Sequence, residues 1–310
     1  MMVYDISQNF KTTAEDWKIG KNYYWILGTP KELSDLNIDL DGECIEECNN
    51  LNQSSKIIYF NDYIFMVFNI LEYENREVLS KELNIFLGKD YIITVYKDKS
   101  DIIEDFLSDI KEDKNCFMLK EQSKPCILLY YILDRIIVRN YNVISELESE
   151  ADKIEISILK NPSNDKAHDL INLRRQVYKI RKFLNPLRYI GDSLLLNENN
   201  IIDKDNIRYY KNLNNKIEKL MLSLENLVQD LALVREAFES EISNKTNELM
   251  KIFTLVAALF LPLDLISGLF GMNLDNIPLK DKWYAYYLIL IIMATIAVTL
   301  FYVFKKKKWL

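Results

Sequence analysis

Residues 252–273 read IFTLVAALFLPLDLISGLFGMN, and this stretch decides how the chain is organised. It carries one charged residue, Asp264, and at about 1.5 Å per residue a helix of this length crosses a hydrocarbon layer of about 30 Å. Residues 283–304, WYAYYLILIIMATIAVTLFYVF, carry no charge. We therefore predict two transmembrane helices, 252–273 and 283–304, joined by the short loop 274–282.

Basic residues next to the second span predict the orientation of the chain. The tail 305–310 contains Lys305, Lys306, Lys307 and Lys308 directly after the span, and lysines flanking a span favour the cytosolic side. The first residues contain no apolar stretch long enough for a signal peptide. We expect a multi-pass protein of the cell (inner or plasma) membrane with both termini cytosolic and the loop 274–282 extracellular.

Composition excludes several classes of protein. The chain has 310 residues, 49% of them hydrophobic, which is enough for a folded core. Its formal charge of -7 argues against nucleic acid as a partner. We find no catalytic motif, predict no enzyme activity and no prosthetic group, and expect the four cysteines to be reduced.

The segment before the first span predicts a long stalk helix, residues 201–251. Neither Gly nor Pro occurs between Gly191 and Pro262, so nothing in the sequence interrupts a helix there. Apolar side chains recur at alternating steps of three and four residues: Tyr210, Leu213, Ile217, Leu220, Leu224, Leu227, Leu231, Val234 and Phe238. Such a seam needs a partner helix, either within the chain's own cytosolic domain or in another copy.

The same spacing continues into the first span and defines a stripe of residues along it. Apart from Met250 and Leu261, its members are small or polar: Asn247, Met250, Thr254, Ala257, Leu261, Asp264, Gly268 and Gly271. Small residues on such a stripe indicate close helix packing. Asp264 and Asn247 indicate a water-filled path, because ionisable groups within a membrane face a cavity or a partner. Several copies with their stripes inward would repeat Asp264 and Asn247 as polar rings, and Pro262 predicts a bend near Ala258.

Several stretches between Asn244 and Leu310 carry a recognisable pattern: NELMKIFTLVAALFLPLDLISGLFGMN, the short loop, the aromatic-flanked second span and KKKKW, with weaker support from KELNIFLGKDYIITVY at 81–96. Together they resemble the CorA family of magnesium channels. The resemblance implies a CorA-like funnel-shaped homopentamer: a cytosolic α/β domain, a long stalk helix and two C-terminal transmembrane helices. It also implies passive uptake of Mg2+, which serves as both transported and regulatory ion, with the lipid bilayer and other copies as partners.

Individual residues take their roles from the same resemblance. Gly271, Met272 and Asn273 match the outer selectivity filter, where Asn oxygens meet a hydrated Mg2+. Five positions match pore-facing residues, with Met250 near a hydrophobic gate: Asn247, Met250, Ala257, Leu261 and Gly268. Asp264 stands where many relatives carry Thr, and Asn212, Asn214 and Asn215 stand where relatives often carry Asp for Mg2+ sensing. The outer loop lacks the family's usual acidic residue.

Two alternatives stay open at this point. The carboxylate of Asp264 favours transport of other divalent cations, Co2+, Ni2+ or Zn2+. The chain could instead be a non-conducting two-span membrane sensor, with the seam transmitting a signal and the stripe serving only as packing.

Residues 1–200 predict a cytosolic α/β and helical domain. Strands are expected at 22–28, 57–73 and 83–97, the last folding back at Gly88–Asp90, and helices at 101–113, 127–160 and 164–197. His168 is predicted to be a surface residue. Cys44 and Cys48 would lack the other ligands of a metal site. The acids Glu146, Glu148, Glu150, Asp152 and Glu155 predict a solvated helix face, or one attracted to Lys305–Lys308.

Overall fold

The β-rich stretches of the sequence form one seven-stranded sheet. Its strands are β1 (Met2–Asp5), β2 (Lys11–Thr12), β3 (Tyr24–Gly28), β4 (Lys56–Tyr59), β5 (Tyr63–Glu74), β6 (Glu77–Gly88) and β7 (Tyr91–Tyr96). The strand order is β2-β1-β3-β7-β6-β5-β4. Strands β3 and β7 run parallel, and the other neighbouring strands run antiparallel.

This computed structural model describes residues 1–13, 17–36, 38–50, 53–97, 101–272 and 282–307. Its helices are α1 (Gly42–Glu47), α2 (Asp101–Lys111), α3 (Phe117–Glu121), α4 (Pro125–Lys160), α5 (Asn164–Leu184), α6 (Pro186–Leu196), α7 (Ile207–Gly271) and α8 (Ala285–Lys306). Short 3-10 turns span Pro30–Asp35 and Lys204–Asn206. The chain divides into two units, Met1–Arg235 and Glu236–Leu310, and α7 contributes to both.

Both faces of the sheet are covered in the first unit. On one face, Ile26, Phe65 and Phe86 pack against Leu33 of the first 3-10 turn and against the cysteines of α1. On the other face, Trp25 contacts Phe106 of α2, with ring centroids 5.6 Å apart. Helices α4 and α5 also pack over this face. Alternating apolar residues along each strand supply both layers, as expected for a sheet buried on two sides.

The predicted seam of the stalk helix packs inside the first unit. Eight of its nine residues are buried there: Tyr210, Leu213, Ile217, Leu220, Leu224, Leu227, Leu231 and Val234. Tyr210 donates a hydrogen bond to the carbonyl of Cys126 in α4 over 2.6 Å, and Lys216 forms an ion pair with Asp134. The partner of the seam is therefore the chain's own helical layer.

The overall architecture confirms the predicted fold class: an α/β unit, a long helix and two apolar C-terminal helices. Several elements differ in detail. The expected strand 57–73 is two strands, β4 and β5, and β6 begins at Glu77, six residues before the expected start. Strand β1 was not predicted. The expected helix 164–197 is α5 followed by α6, because Pro186 has no N–H to continue the hydrogen-bond ladder.

Helix α7 continues through Pro262, and the bend near Ala258 stays a prediction. Helix α7 is assigned as continuous from Ile207 to Gly271, with Pro262 inside it. Pro262 interrupts the backbone hydrogen bonding at one position without ending the helix.

Candidate ion path on the first membrane helix

Two helices of the second unit expose more apolar surface than water tolerates. The apolar windows of α7 and α8 are both long enough to cross a membrane, and almost none of their residues is buried inside the chain. Phe253 on α7 is 68% exposed and Val298 on α8 is 69% exposed. A core helix of a soluble protein would bury such side chains, so lipid is the environment that these helices fit.

The exposed side of α7 can be located from the side that is partly shielded. In the apolar part of α7 the partly shielded residues recur at helical spacing: Leu255, Ala258, Leu259, Pro262, Leu263 and Ile266. Partly shielded positions recur in α8 as well, among them Ile289, Met293 and Ile296. Asp264 follows Leu255 by nine residues, which at about 3.6 residues per turn places it on the opposite side of α7.

The whole stripe, here called the α7 stripe because it lies on α7, shares this open side. Its residues are all exposed in the single chain: Asn247, Met250, Thr254, Ala257, Leu261, Asp264, Gly268 and Gly271. Within the described residues, no hydrogen bond or ion pair joins the carboxylate of Asp264 or the amide of Asn247 to another group. Their polar atoms therefore remain available to an ion, to water or to another copy of the chain.

Two hydroxyl groups in the apolar part of α7 are already engaged with the backbone. Thr254 donates from Oγ1 to the carbonyl of Met250 over 2.8 Å, and Ser267 donates from Oγ to the carbonyl of Asp264 over 3.0 Å. Such bonds satisfy a hydroxyl hydrogen within a helix that lies in lipid. The hydroxyl oxygen of Thr254 still presents lone pairs on the stripe and can accept from water.

The two glycines of the stripe are not required by the single chain. Among the described residues, a Cβ added at Gly268 or Gly271 would meet no atom within 4 Å, and neither glycine has a positive φ. Backbone conformation and packing within the chain therefore leave both glycines unexplained. Glycine at an exposed helix position allows another helix or a hydrated ion to approach the backbone closely.

The predicted filter lies at the end of α7. Gly271 is the last residue of the helix, and Met272 follows it with an exposed side chain. Asn273 and the loop 274–281 lie outside the described residues. At the end of α8, Lys305 and Lys306 belong to the last turn and Lys307 follows directly, all three exposed. Lys308 also lies outside the described residues. The assigned roles of these residues stay predictions.

The first unit offers no competing metal site among its described residues, where no group of three His, Cys, Asp or Glu side chains comes together. Cys44 and Cys48 are both buried, and burial raises the pKa of each thiol to about 12. The carboxylate of Asp41 caps α1 by accepting from the backbone N–H of Cys44. His168 is exposed, as predicted. These cysteines are packing residues beneath the sheet.

The stalk asparagines differ in their surroundings. Asn212 and Asn215 are exposed. Asn214 is half-buried and donates from Nδ2 to Asp192 of α6 over 3.0 Å, so its amide helps to join α7 to α6. Two of the five acids between residues 146 and 155 have partners in the chain. Glu150 forms ion pairs with Lys153 and Arg76, and Glu148 accepts a hydrogen bond from Ser223 of α7.

An α/β unit and two apolar C-terminal helices together define an integral membrane protein. The family model described as "CorA-like Mg2+ transporter protein" matches residues 22–306. Because this match covers most of its length, the chain belongs to the CorA-like Mg2+ transporter family.

Individual relatives agree with this assignment. The cobalt/magnesium transport protein CorA of Thermotoga maritima is 28% identical over 269 residues, covering 86% of this chain and 76% of that protein. The zinc transport protein ZntB of Photorhabdus laumondii is 22% identical over 298 residues, covering 95% and 86% respectively. Both relatives are named as transport proteins, in keeping with the absence of a catalytic motif from the sequence.

A solved structure shows the same fold. The complete CorA magnesium transporter from Methanocaldococcus jannaschii matches with a TM-score of 0.85 and 20% sequence identity. The match covers 100% of this chain and 98% of that one. At this level of identity the likeness shows the fold alone.

Proposed function

We propose that this protein carries Mg2+ passively into the cell through a pore on the axis of a homopentamer. The observation that carries the proposal is the α7 stripe, whose polar and small residues are exposed on the side of α7 opposite its shielded face. Two spans of one chain cannot enclose a pore, so several copies are needed to surround the stripe. The unexplained glycines Gly268 and Gly271 support such close approach.

The membrane potential is a sufficient driving force. An inside-negative potential of ~100 mV favours entry of a divalent cation by roughly 4.6 kcal/mol, twice the value for a single charge. Transport then requires no site that binds and hydrolyses a nucleotide. The lysines after α8 support an orientation in the plasma or inner membrane with both termini on the cytosolic side.

We propose that Gly271, Met272 and Asn273 form the outer filter. Mg2+ dehydrates reluctantly and keeps several of its waters, so a ring of amide and carbonyl oxygens suits the hydrated ion. Further in, Asp264 and Asn247 supply polar rings. Met250, Thr254, Ala257, Leu261 and Gly268 line the path between and beyond them. A narrow ring of Met250 side chains would close the path by excluding water.

Cytosolic Mg2+ is proposed to regulate the path by favouring its closed state. By the family resemblance, Asn212, Asn214 and Asn215 stand in the stalk where relatives often carry the carboxylates that bind such an ion. An amide oxygen is a weaker ligand for Mg2+ than a carboxylate. Asn214 donates from Nδ2 to Asp192, and its Oδ1 is buried and accepts no hydrogen bond from the described residues. Closure by cytosolic Mg2+ should therefore need higher concentrations than in a chain with aspartates at these positions.

Other divalent cations are the second candidate cargo. The specific observation is the unpartnered carboxylate of Asp264 on the stripe, and the named relatives transport cobalt, magnesium or zinc. A ring of carboxylates binds partly dehydrated ions more strongly than a ring of hydroxyls, so Asp264 can extend transport to Co2+, Ni2+ and Zn2+. Ion competition distinguishes the two candidates.

Cysteine accessibility tests the pore directly. Gly268→Cys in the full chain should react with a charged, water-soluble thiol reagent, and the reaction should block Mg2+ influx into proteoliposomes. Val298→Cys on α8 is the matched control, because its exposed position belongs to the lipid-facing helix. Equal reactivity without block in Gly268→Cys would place the stripe outside the ion path.

A further inference from the structure

A ring of copies requires two unlike surfaces on every copy. In a closed ring with one kind of contact, one face of each subunit meets a different face of the next, and the two faces must be complementary. This argument rests on the proposed homopentamer. The question is which two exposed faces of the first unit fit each other.

Helix α4 contacts both α5 and α7 in the first unit. The second half of α4 buries Ala151, Ile154 and Ile158, and α5 packs against it. Ser223 of α7 donates to Glu148 of α4 over 3.0 Å. Each of these helices leaves its other side exposed in the single chain.

Helix α5 carries a strongly basic outward side. Between Asp169 and Asp192 the chain has six basic residues and no acidic one, although its net charge is -7. The exposed residues on one side of α5, here called the basic face, are Ile171, Arg174, Arg175, Tyr178, Arg181 and Lys182. In the described part of the chain, none of its four cations forms an ion pair.

Apolar groups lie at the centre of the basic face. Ile171 is 46% exposed and Tyr178 is 50% exposed. Arg174 donates to the hydroxyl of Tyr178 over 3.2 Å, and its guanidinium carbon lies 5.4 Å from the centroid of the ring. An exposed aromatic ring surrounded by unpaired arginines is typical of an interface rather than of a solvated surface.

Helix α4 carries the opposite pattern on its outward side. The residues of this acidic face are Asp152, Glu155, Ile156 and Leu159. Ile156 and Leu159 are each 54% exposed. Neither acid takes part in an ion pair within the residues that the structure covers, whereas the neighbouring Glu150 is paired with Lys153. The exposed acids Glu218 and Glu225 of α7 are paired with Arg188 of the same chain, so they are less suited to a partner.

We infer that the basic face of α5 docks on the acidic face of α4 in the neighbouring copy. Ile171 and Tyr178 then pack against Ile156 and Leu159, and the unpaired arginines meet Asp152 and Glu155. Each face buries apolar side chains at its centre and leaves its charges at the rim, which sets the register between copies. The partner is thus a second copy of this chain.

Charge reversal tests the pairing in the full chain in detergent. The first variant combines Arg174→Glu, Arg181→Glu and Lys182→Glu. Its oligomer should dissociate at a protein concentration at least about tenfold higher than that of the parent, because like charges then face each other. Asp152→Lys with Glu155→Lys should do the same, and the two sets combined should restore assembly. Lys18→Glu with Lys21→Glu and Lys31→Glu is the control, since these exposed lysines lie outside both faces. Native mass spectrometry reports the oligomer.

Cross-linking supplies a test that does not depend on weakening the oligomer. Ile156→Cys with Tyr178→Cys should yield a ladder of disulfide-linked oligomers on oxidation, and each single variant should not. An intact oligomer that gives no ladder and ignores charge reversal overturns the inference while leaving the proposed transport standing. Loss of binding to anionic lipid vesicles in the basic-face variant, with assembly unchanged, would assign the face to lipid and also overturn it. A parent chain that neither assembles nor transports Mg2+ would contradict the proposed function itself.

Discussion

Asn140 of α4 pairs with the backbone of Leu71 in β5 as a neighbouring strand would. Its Oδ1 accepts from the N–H of Leu71 over 2.8 Å, and its Nδ2 donates to the carbonyl of Asn69 over 3.0 Å. Strand β4 pairs with β5 only as far as Val67, so this edge of β5 would otherwise carry unpaired groups. Asn140 is fully buried and completes the edge.

Replacing Asn140 should therefore lower the free energy of unfolding sharply. Asn140→Leu leaves a buried N–H and a buried carbonyl without partners, and we expect a loss of about 2–4 kcal/mol. Denaturant unfolding of the full chain in detergent, followed by tryptophan fluorescence, measures it. Asn142→Leu is the matched control, because Asn142 lies on the exposed side of the same helix. Equal stability of the two variants would show that the edge of β5 is satisfied in another way.

The close approach of α6 and α7 makes a second prediction. A Cβ added at Gly191 would overlap Oδ1 of Asn214 and contact Ile217 at 3.1 Å. Gly191→Ala should cost about 1–3 kcal/mol through overpacking. Gly42→Ala is the control, since a Cβ there meets no atom of the described residues within 4 Å, and it should be neutral or slightly stabilising. Thermal unfolding of both variants checks this, and an unaffected Gly191→Ala would contradict the packing described.

The buried cysteines predict a pH dependence. Burial raises the pKa of Cys44 and Cys48 from 9.0 to about 12, so at pH 8 roughly one thiol in 10,000 is ionised in the folded chain. We expect no reaction of either with a thiol reagent until the chain unfolds. The folded state keeps protons that the unfolded chain releases above pH 9, so this contribution to stability is full below pH 9 and declines toward pH 12. Fast labelling of folded protein at pH 8 would be incompatible with this burial.

Asp264 predicts ion selectivity. Asp264→Thr replaces the charged carboxylate by a neutral hydroxyl. Co2+ and Ni2+ should then compete less well with Mg2+, and their inhibitory concentrations should rise about tenfold. Mg2+ influx should continue. Competition assays in proteoliposomes compare the variant with the parent. Identical competition curves would remove Asp264 from the selectivity of the path.

Much of the fold could be predicted because its signals are local. The two apolar runs predict α7 and α8, and Gly88–Asp90 marks the turn between β6 and β7. The turn between β5 and β6 has no such mark. Asn75 and Arg76 both have positive φ values, 50° and 65°. Glycine usually marks such a conformation in a sequence, and neither of these residues is a glycine. Residues 77–82 were therefore not predicted as strand, because long-range pairing with β5 decides their conformation.

The candidate site divides in the same way. Helical spacing alone places Asp264, Asn247 and Gly268 on one side of α7, and the structure shows that side exposed. The basic face of α5 was not recognised, although the acid-free run between Asp169 and Asp192 is visible in the sequence. Its relevance depends on which side of α5 is buried, and packing against α4 decides that.

Mg2+ influx into proteoliposomes tests the central claim most directly. Liposomes that contain the full chain and a Mg2+-sensitive dye should fill when an inside-negative potential is imposed, and the rate should rise with that potential. Asn273→Ala should reduce influx at least about tenfold, since the filter loses its amide oxygens. Potential-driven influx that depends on Asn273 is the predicted result. Absence of influx in the parent, or equal influx in parent and variant, would contradict the account.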